Sequence, residues 1–292
     1  MLALLLSLAT AQAPACESQP SCVRACEVGD GAACALLGSA YDTGEGAPED
    51  PVRAARYYRQ GCELGAPTGC AGIGRLLRSG RGVPVDSAEA VMFLQRGCSD
   101  GADEACIGLG DMFELGHGVD RDATGSALYY QQACDLGNGE GCYRVGFALE
   151  VGDGLVADMP RAAAAYTRGC ELEDGASCTE LGRLYADGEG VRADPMLAVI
   201  FYESACTFGH ARGCLDLGRR MWAGQLGAER EQGLRWLDTA CTLGSPLGCR
   251  DLGKAYKQKR GGRRLDRASA AYDRGCRLGD ADACRASERL QR

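Results

Sequence analysis

The 292-residue sequence predicts an all-α solenoid of short helix hairpins, and three observations carry that expectation. Sixteen of the eighteen cysteines fall into pairs eight positions apart: Cys26 and Cys34, Cys62 and Cys70, Cys98 and Cys106, Cys134 and Cys142, Cys170 and Cys178, Cys206 and Cys214, Cys241 and Cys249, Cys276 and Cys284. Successive pairs begin 36 residues apart five times and 35 apart twice, the period of a stacked helix hairpin. Four residues after every second cysteine but the last stands a glycine, from Gly38 and Gly74 through Gly218 and Gly253, each preceded by an aliphatic residue.

The first helix of each repeat follows from that register. Glycine inside a helix costs about 1 kcal/mol relative to alanine, so its recurrence implies a neighbouring helix packed on bare backbone. Three residues further on come Tyr41, Leu77, Phe113, Leu149, Tyr185, Met221 and Tyr256, which place an apolar face at helical spacing. Gly80, Gly116, Gly152 and Gly188 supply left-handed C-caps. The second helix carries small residues such as Ala54, Ala90, Ala162 and Ala198, then bulky pairs such as Tyr57-Tyr58, Phe93-Leu94 and Phe201-Tyr202. Pro51, Pro160 and Pro195 sit at its start, where a missing N–H is harmless.

Two cysteines eight apart on one continuous helix would lie about 12 Å apart along the axis, whereas a disulfide tolerates a Cα separation of about 7 Å at most. The chain must reverse between them, and Leu64 to Gly69 and its counterparts are suitable turns. Each bridge then ties the end of one second helix to the start of the next first helix. On the loop-entropy model each is worth about 2.5 kcal/mol. Zinc ligands come at tighter cysteine spacing with neighbouring histidines, and only His117 and His210 exist. Nine disulfides are therefore expected: the eight repeat pairs and Cys16 with Cys22. No metal or cofactor is expected.

Eighteen cysteines, an even number, point to an oxidising compartment. The apolar stretch Leu2 to Leu8 followed by Ala11-Gln12-Ala13 resembles a signal-peptidase site, so residues 1–13 read as a cleaved signal peptide. A lipid on Cys16 is disfavoured, because Ala13 and Pro14 fit a lipobox badly. The apolar run is too short for a spanning helix of about 20 residues. Residues 14–33 then read as an N-terminal half-repeat, 34–283 as the solenoid and 284–292 as a polar C-terminal capping helix. The net charge of −8 and pI near 5.0 exclude a general nucleic-acid or membrane-surface binder, which needs concentrated Lys and Arg.

The near-36-residue hairpin, the aliphatic-glycine step and the spaced cysteine pair together resemble the Sel-one-like repeat family, and within it the bacterial cysteine-rich Hcp branch. The resemblance covers Cys26 to Cys284. It implies a right-handed α/α superhelix related to tetratricopeptide repeats, with first helices on the concave side, and an adaptor role. It also implies an alternative, binding or slow hydrolysis of penicillin-type antibiotics, which maps onto no residue of this chain. The later repeats depart from the pattern, with Gly224-Gln225-Leu226-Gly227 in one and Lys257 to Arg264, part of the basic run Lys254 to Arg264, where the glycine loop would be in the next.

No catalytic constellation is present in the sequence. None of Lys254, Lys257 and Lys259, the only lysines, follows a serine by three positions, and there is no G-x-S-x-G elbow, Walker loop or dinucleotide fingerprint. His117 and His210 read as exposed loop histidines. The pairs Glu180/Arg183, Asp216/Arg219 and Asp251/Lys254 read as exposed helix ion pairs of about 0.2–0.5 kcal/mol. One, five and eight residues after the second cysteine lie positions outside the repeating core, and the resemblance places them on the groove. The expected partner site on that stripe comprises Ile107, Tyr143, Phe147, Arg183, Leu215, Arg219 and Trp222, taking a protein or peptide. The basic run is expected to form a solvated loop, with an anionic envelope polymer as its alternative partner.

Overall fold

The computed structural model describes residues 19–226, 230–258 and 262–291, and every regular element among them is helical. The expected signal segment and Cys16 lie outside the described residues. The chain divides into two compact units, Met1–Tyr129 and Tyr130–Arg292. The first holds α1 (Gln19–Glu27), α2 (Gly31–Thr43), α3 (Pro51–Glu63), α4 (Pro67–Ser79), α5 (Ser87–Ser99), α6 (Asp103–Leu115) and the start of α7 (Ala123–Asp135). The second continues through α8 (Gly139–Val151), α9 (Met159–Glu171), α10 (Gly175–Asp187), α11 (Pro195–Thr207), α12 (Ala211–Trp222), α13 (Arg230–Thr242), α14 (Pro246–Gln258), α15 (Gly262–Arg277) and α16 (Ala281–Gln291). Within each unit consecutive helices pack as hairpins, the all-α repeat architecture expected from the period.

Each hairpin is closed by the same local chemistry. Gly44, Gly80, Gly116, Gly152 and Gly188 end first helices in the left-handed conformation, φ between 71° and 79°. The loop then delivers an aspartate to the second-helix N-cap. Asp50, Asp86, Asp158 and Asp194 accept hydrogen bonds from the amides of Arg53, Glu89, Arg161 and Leu197. Their own amides donate back to the carbonyls of Tyr41, Leu77, Leu149 and Tyr185 at 2.8–3.1 Å. Loop and apolar first-helix residue are thus locked together.

The recurring glycine does what its position predicts. A Cβ on Gly38, Gly74, Gly146, Gly218 or Gly253 would come within 2.5–2.9 Å of the ring or side chain of Tyr58, Leu94, Tyr166, Leu237 or Tyr272, on the second helix of the same hairpin. Aromatic pairs seal the next layer, with Tyr41 on Tyr57 at 5.6 Å, Phe113 on Tyr129 at 5.3 Å and Tyr185 on Phe201 at 5.4 Å between ring centroids. Such pairs add about 0.5–1.5 kcal/mol beyond their burial.

Eight disulfides link the expected pairs, each from the end of one second helix to the first turns of the next first helix, with Cα separations of 4.4–4.9 Å. Cys22 is disulfide-bonded as well, to a residue outside the described set. First helices begin three residues before the second cysteine, so Cys34 and Cys284 lie inside α2 and α16 rather than opening them. Asp30 and Asp280 explain this, each accepting a hydrogen bond from the amide three residues on, where a helix nucleates.

The basic run is not a continuous loop. Lys254 and Lys257 belong to α14, which ends at the same register as the other first helices, and Arg264 belongs to α15, which begins three residues earlier than the other second helices. In the Cys214 repeat Leu226 substitutes for that loop, burying itself against Leu217 and Met221.

Candidate functional site

First helices of the second unit carry the candidate face. α8 contributes Tyr143, Phe147 and Glu150. α10 contributes Thr179, Glu180 and Arg183. α12 contributes Leu215, Asp216, Arg219 and Trp222. Ile107, on α6, belongs to the first unit and is half-buried.

The expected stripe separates into three kinds of residue. Phe147 is half-exposed, 50% of its surface in solvent, and is the open apolar position. Tyr143 is half-buried with its ring 6.0 Å from Tyr166 and tilted against it, and burial pushes its phenol above the usual value. Leu215 is a correction: at 4% exposure it packs in a core with Leu237 and Leu252 and cannot meet a partner. Trp222 lies partly buried against the same core. The reason is the register: the position one residue after the second cysteine is core in other first helices too, at Ala35, Ala71 and Thr179.

Arg183 and Arg219 are engaged by carboxylates of their own chain, with 23% and 40% of their side chains exposed. Arg183 donates to Glu150 at 2.5 Å, Glu180 at 2.7 Å and Glu189 at 2.5 Å. Burial opposes its charge, but these carboxylates hold its pKa above the ordinary value. Arg219 donates to Asp251 at 2.6 Å and reaches Asp216 at 4.0 Å. The expected pairs within helices do form, including Asp251 with Lys254 at 3.2 Å. What the sequence reading missed is their second function, tying one repeat to the next.

That function recurs. Asp42 pairs with Arg75, Arg78 with Asp111 at 2.8 Å and Glu150 with Arg183, always 33 residues apart. Each joins the Cys+8 position of one first helix to the Cys+5 position of the next. Asp187 and Arg220, also 33 apart, form a two-pronged pair whose hydrogen bonds hold the carboxyl below its usual range. Opposite charges at 33 within a 36-residue period are legible in sequence once the stacking is known. Beneath them, Tyr166 donates to Glu150 at 2.9 Å and, mainly through burial, its phenol is pushed far up; burial pushes that of Tyr202 up to about 12.

His210 also departs from expectation. It is the half-buried N-cap residue of α12, with Nδ1 2.7 Å from the Thr179 hydroxyl on α10, rather than an exposed loop histidine. Burial lowers its pKa, and burial raises that of Asp216 nearby. His117 is exposed. Among the described residues no group of three or more His, Cys, Asp or Glu is arranged to hold a metal ion, and no helix is long and apolar enough to cross a membrane.

These features define a repeat scaffold of disulfide-linked helix hairpins whose first-helix face is laced by ion pairs and carries an open aromatic position. The Sel1 repeat model matches residues 31–65, 67–101, 103–138, 139–174, 175–210 and 211–245, most of the chain, so the protein belongs to the Sel1 repeat family. The hairpin α14–α15 continues the array beyond the sixth match. No curated protein matches the sequence. Among solved structures, c5321, a protective antigen present in uropathogenic Escherichia coli strains and displaying an SLR fold, is similar over 90% of this chain and 57% of its own, with 26% identity and a TM-score of 0.72. This chain thus spans little more than half the length of that neighbour. A Sel1 repeat protein from Oxalobacter formigenes is similar over 74% of this chain and 89% of its own, with 26% identity and a TM-score of 0.68. Helicobacter pylori cysteine rich protein B, of the expected Hcp branch, shares 28% identity over 44% of this chain and 93% of its own, at a TM-score of 0.38.

Proposed function

We propose that the protein is an exported scaffold that holds a protein or peptide partner on the first-helix face of its second unit. Phe147 carries this reading. A ring half in water, beside Tyr143 on a face otherwise closed by ion pairs, is unexplained by packing, and aromatic anchors dominate protein interfaces. Family membership supports an interaction role, and the disulfide density with the apolar stretch Leu2 to Leu8 supports export.

The test is site-specific photo-crosslinking in the native host, with the crosslinker at Phe147 and, as control, at Val156, an exposed loop residue. A partner captured from position 147 and not from 156, and whose binding falls about tenfold or more in Phe147→Ala, supports the reading. Equal capture from both positions, or unchanged binding by the variant, refutes it.

A further inference from the structure

Where an earlier hairpin carries an aromatic ring five residues before the cysteine that ends its second helix, that ring is covered. Tyr57, Tyr129 and Phe201 stack on Tyr41, Phe113 and Tyr185, and the Arg59 guanidinium lies 5.0 Å from the centre of the Phe93 ring. Trp236 holds the same position on α13, but Met221 stands where those hairpins place a stacking ring. The indole packs partly against the core around Leu217 and Leu237. Among the described residues no ring or guanidinium covers it, and nothing accepts a hydrogen bond from its N–H.

Trp236 lines a cleft of about 440 Å³, with Glu203 from α11 and Gln232, Arg235 and Thr239 from α13. That size falls within the roughly 300–1,000 Å³ of small-molecule sites. The four α13 residues share one face of the helix, since they are three, four and seven positions apart. Among the described residues the side chains of Glu203, Gln232 and Arg235 form no hydrogen bond or ion pair, although Glu203 is half-buried. They differ in this from the interlocked charges of the first-helix face. The Thr239 hydroxyl donates to the Arg235 carbonyl at 3.0 Å and keeps its capacity to accept.

The lining sets the chemistry of the occupant. Glu203 and Arg235 cancel in charge, so a ligand without net charge matches them. Acceptors at Glu203, Gln232 and Thr239 stand beside donors at Gln232, Arg235 and the indole N–H, and a hydroxyl answers both kinds from one atom. The indole adds the need for an apolar face next to those hydroxyls. We infer that the cleft between α11 and α13 binds a neutral sugar ring of an oligosaccharide, with its C–H face on Trp236 and its hydroxyls on Glu203, Gln232 and Arg235. An amino-acid zwitterion would satisfy Glu203 and Arg235 but leave Gln232 and the indole N–H unmatched. The site is carried by second helices and is separate from the first-helix face of Phe147.

Isothermal titration calorimetry on the oxidised full-length chain tests this with cellotetraose, maltotetraose and the zwitterion alanyl-alanine, at about 50 mM and about 500 mM salt. The expected result is saturable binding of at least one oligosaccharide with a Kd below about 1 mM. It should change less than about twofold with salt, because a neutral ligand has no charge to screen. Gln232→Ala/Arg235→Ala, at two exposed positions, and Trp236→Leu, which keeps an apolar side chain on the core, should each weaken binding about tenfold or more with unchanged circular dichroism. If Trp236→Leu does not fold, the double variant decides alone. Sugar binding that survives the double variant overturns the inference, as does a chain that binds neither oligosaccharide. Binding of alanyl-alanine alone, lost at high salt, also overturns it and assigns the cleft to a zwitterion.

Discussion

Arg183 on α10 reaches back to Glu150 on α8, 33 residues earlier, and the two charged groups meet at 2.5 Å with only 23% of each side chain exposed. The same guanidinium holds Glu180 and Glu189. It serves as the electrostatic pin between two repeats.

Arg183→Ala is therefore expected to loosen the α8–α10 packing by about 1–3 kcal/mol, since it leaves Glu150 partly buried without its counter-charge and Glu180 with Arg212 at 3.7 Å. Repeat arrays do not unfold as one unit, so hydrogen exchange across α8 to α10 is the appropriate measurement. Glu150→Gln combined with Arg183→Ala should cost less than the sum of the two. Strict additivity would show that the pair is not coupled.

Tyr143 and Phe147 are one helical turn apart on α8 yet should behave differently. Tyr143→Ala removes a ring packed against Tyr166 and should destabilise by about 1–2 kcal/mol. Phe147→Ala, half in solvent, should change stability by no more than about 0.5 kcal/mol while weakening partner capture. Thermal melts of the two single variants separate these effects.

Gly146→Ala sets two effects against each other. Helix propensity alone would stabilise by about 1 kcal/mol. The added Cβ, however, would lie 2.6 Å from the buried Tyr166 ring, and overpacking costs about 1–3 kcal/mol. The variant should melt earlier than wild type. A higher melting temperature would mean that Tyr166 moves aside freely.

The His210 pKa is depressed by burial, so the folded state resists protonating it while the unfolded state does not. Its contribution is thus complete above the unfolded value of about 6.5 and declines as pH falls through that value towards the lower folded one. Asp174, Glu180 and Asp216, which favour the charged imidazole, and Arg212, which disfavours it, surround it. The loss in stability between about pH 7 and pH 5 should be larger in wild type than in His210→Asn. Identical pH profiles would show that His210 carries none of the dependence.

The helix hairpins, their caps and the cysteine partners were legible because each is local. An aspartate and a glycine at opposite ends of a short loop specify a turn whatever lies beyond it, and cysteines eight apart can meet only if the chain reverses. The partner stripe was less legible. Its positions vary in residue type, but exposure does not follow from variability: the place one residue after the second cysteine is core at Ala35, Ala71, Thr179 and Leu215, and Arg183 is held by carboxylates on three sides.

By itself, then, the sequence determined the repeat, its period, its disulfides and the glycines on which second helices rest, since these are set by contacts within one hairpin or one turn. Only the tertiary structure decided that residues 33 apart would pair as Glu150 and Arg183 do, that Leu215 would be core, and that Phe147 would remain open. Those outcomes depend on what the neighbouring helices bring to each position, which no local signal in the sequence records: Leu215 meets Leu237 and Leu252, Arg183 meets Glu150, and Phe147 meets solvent.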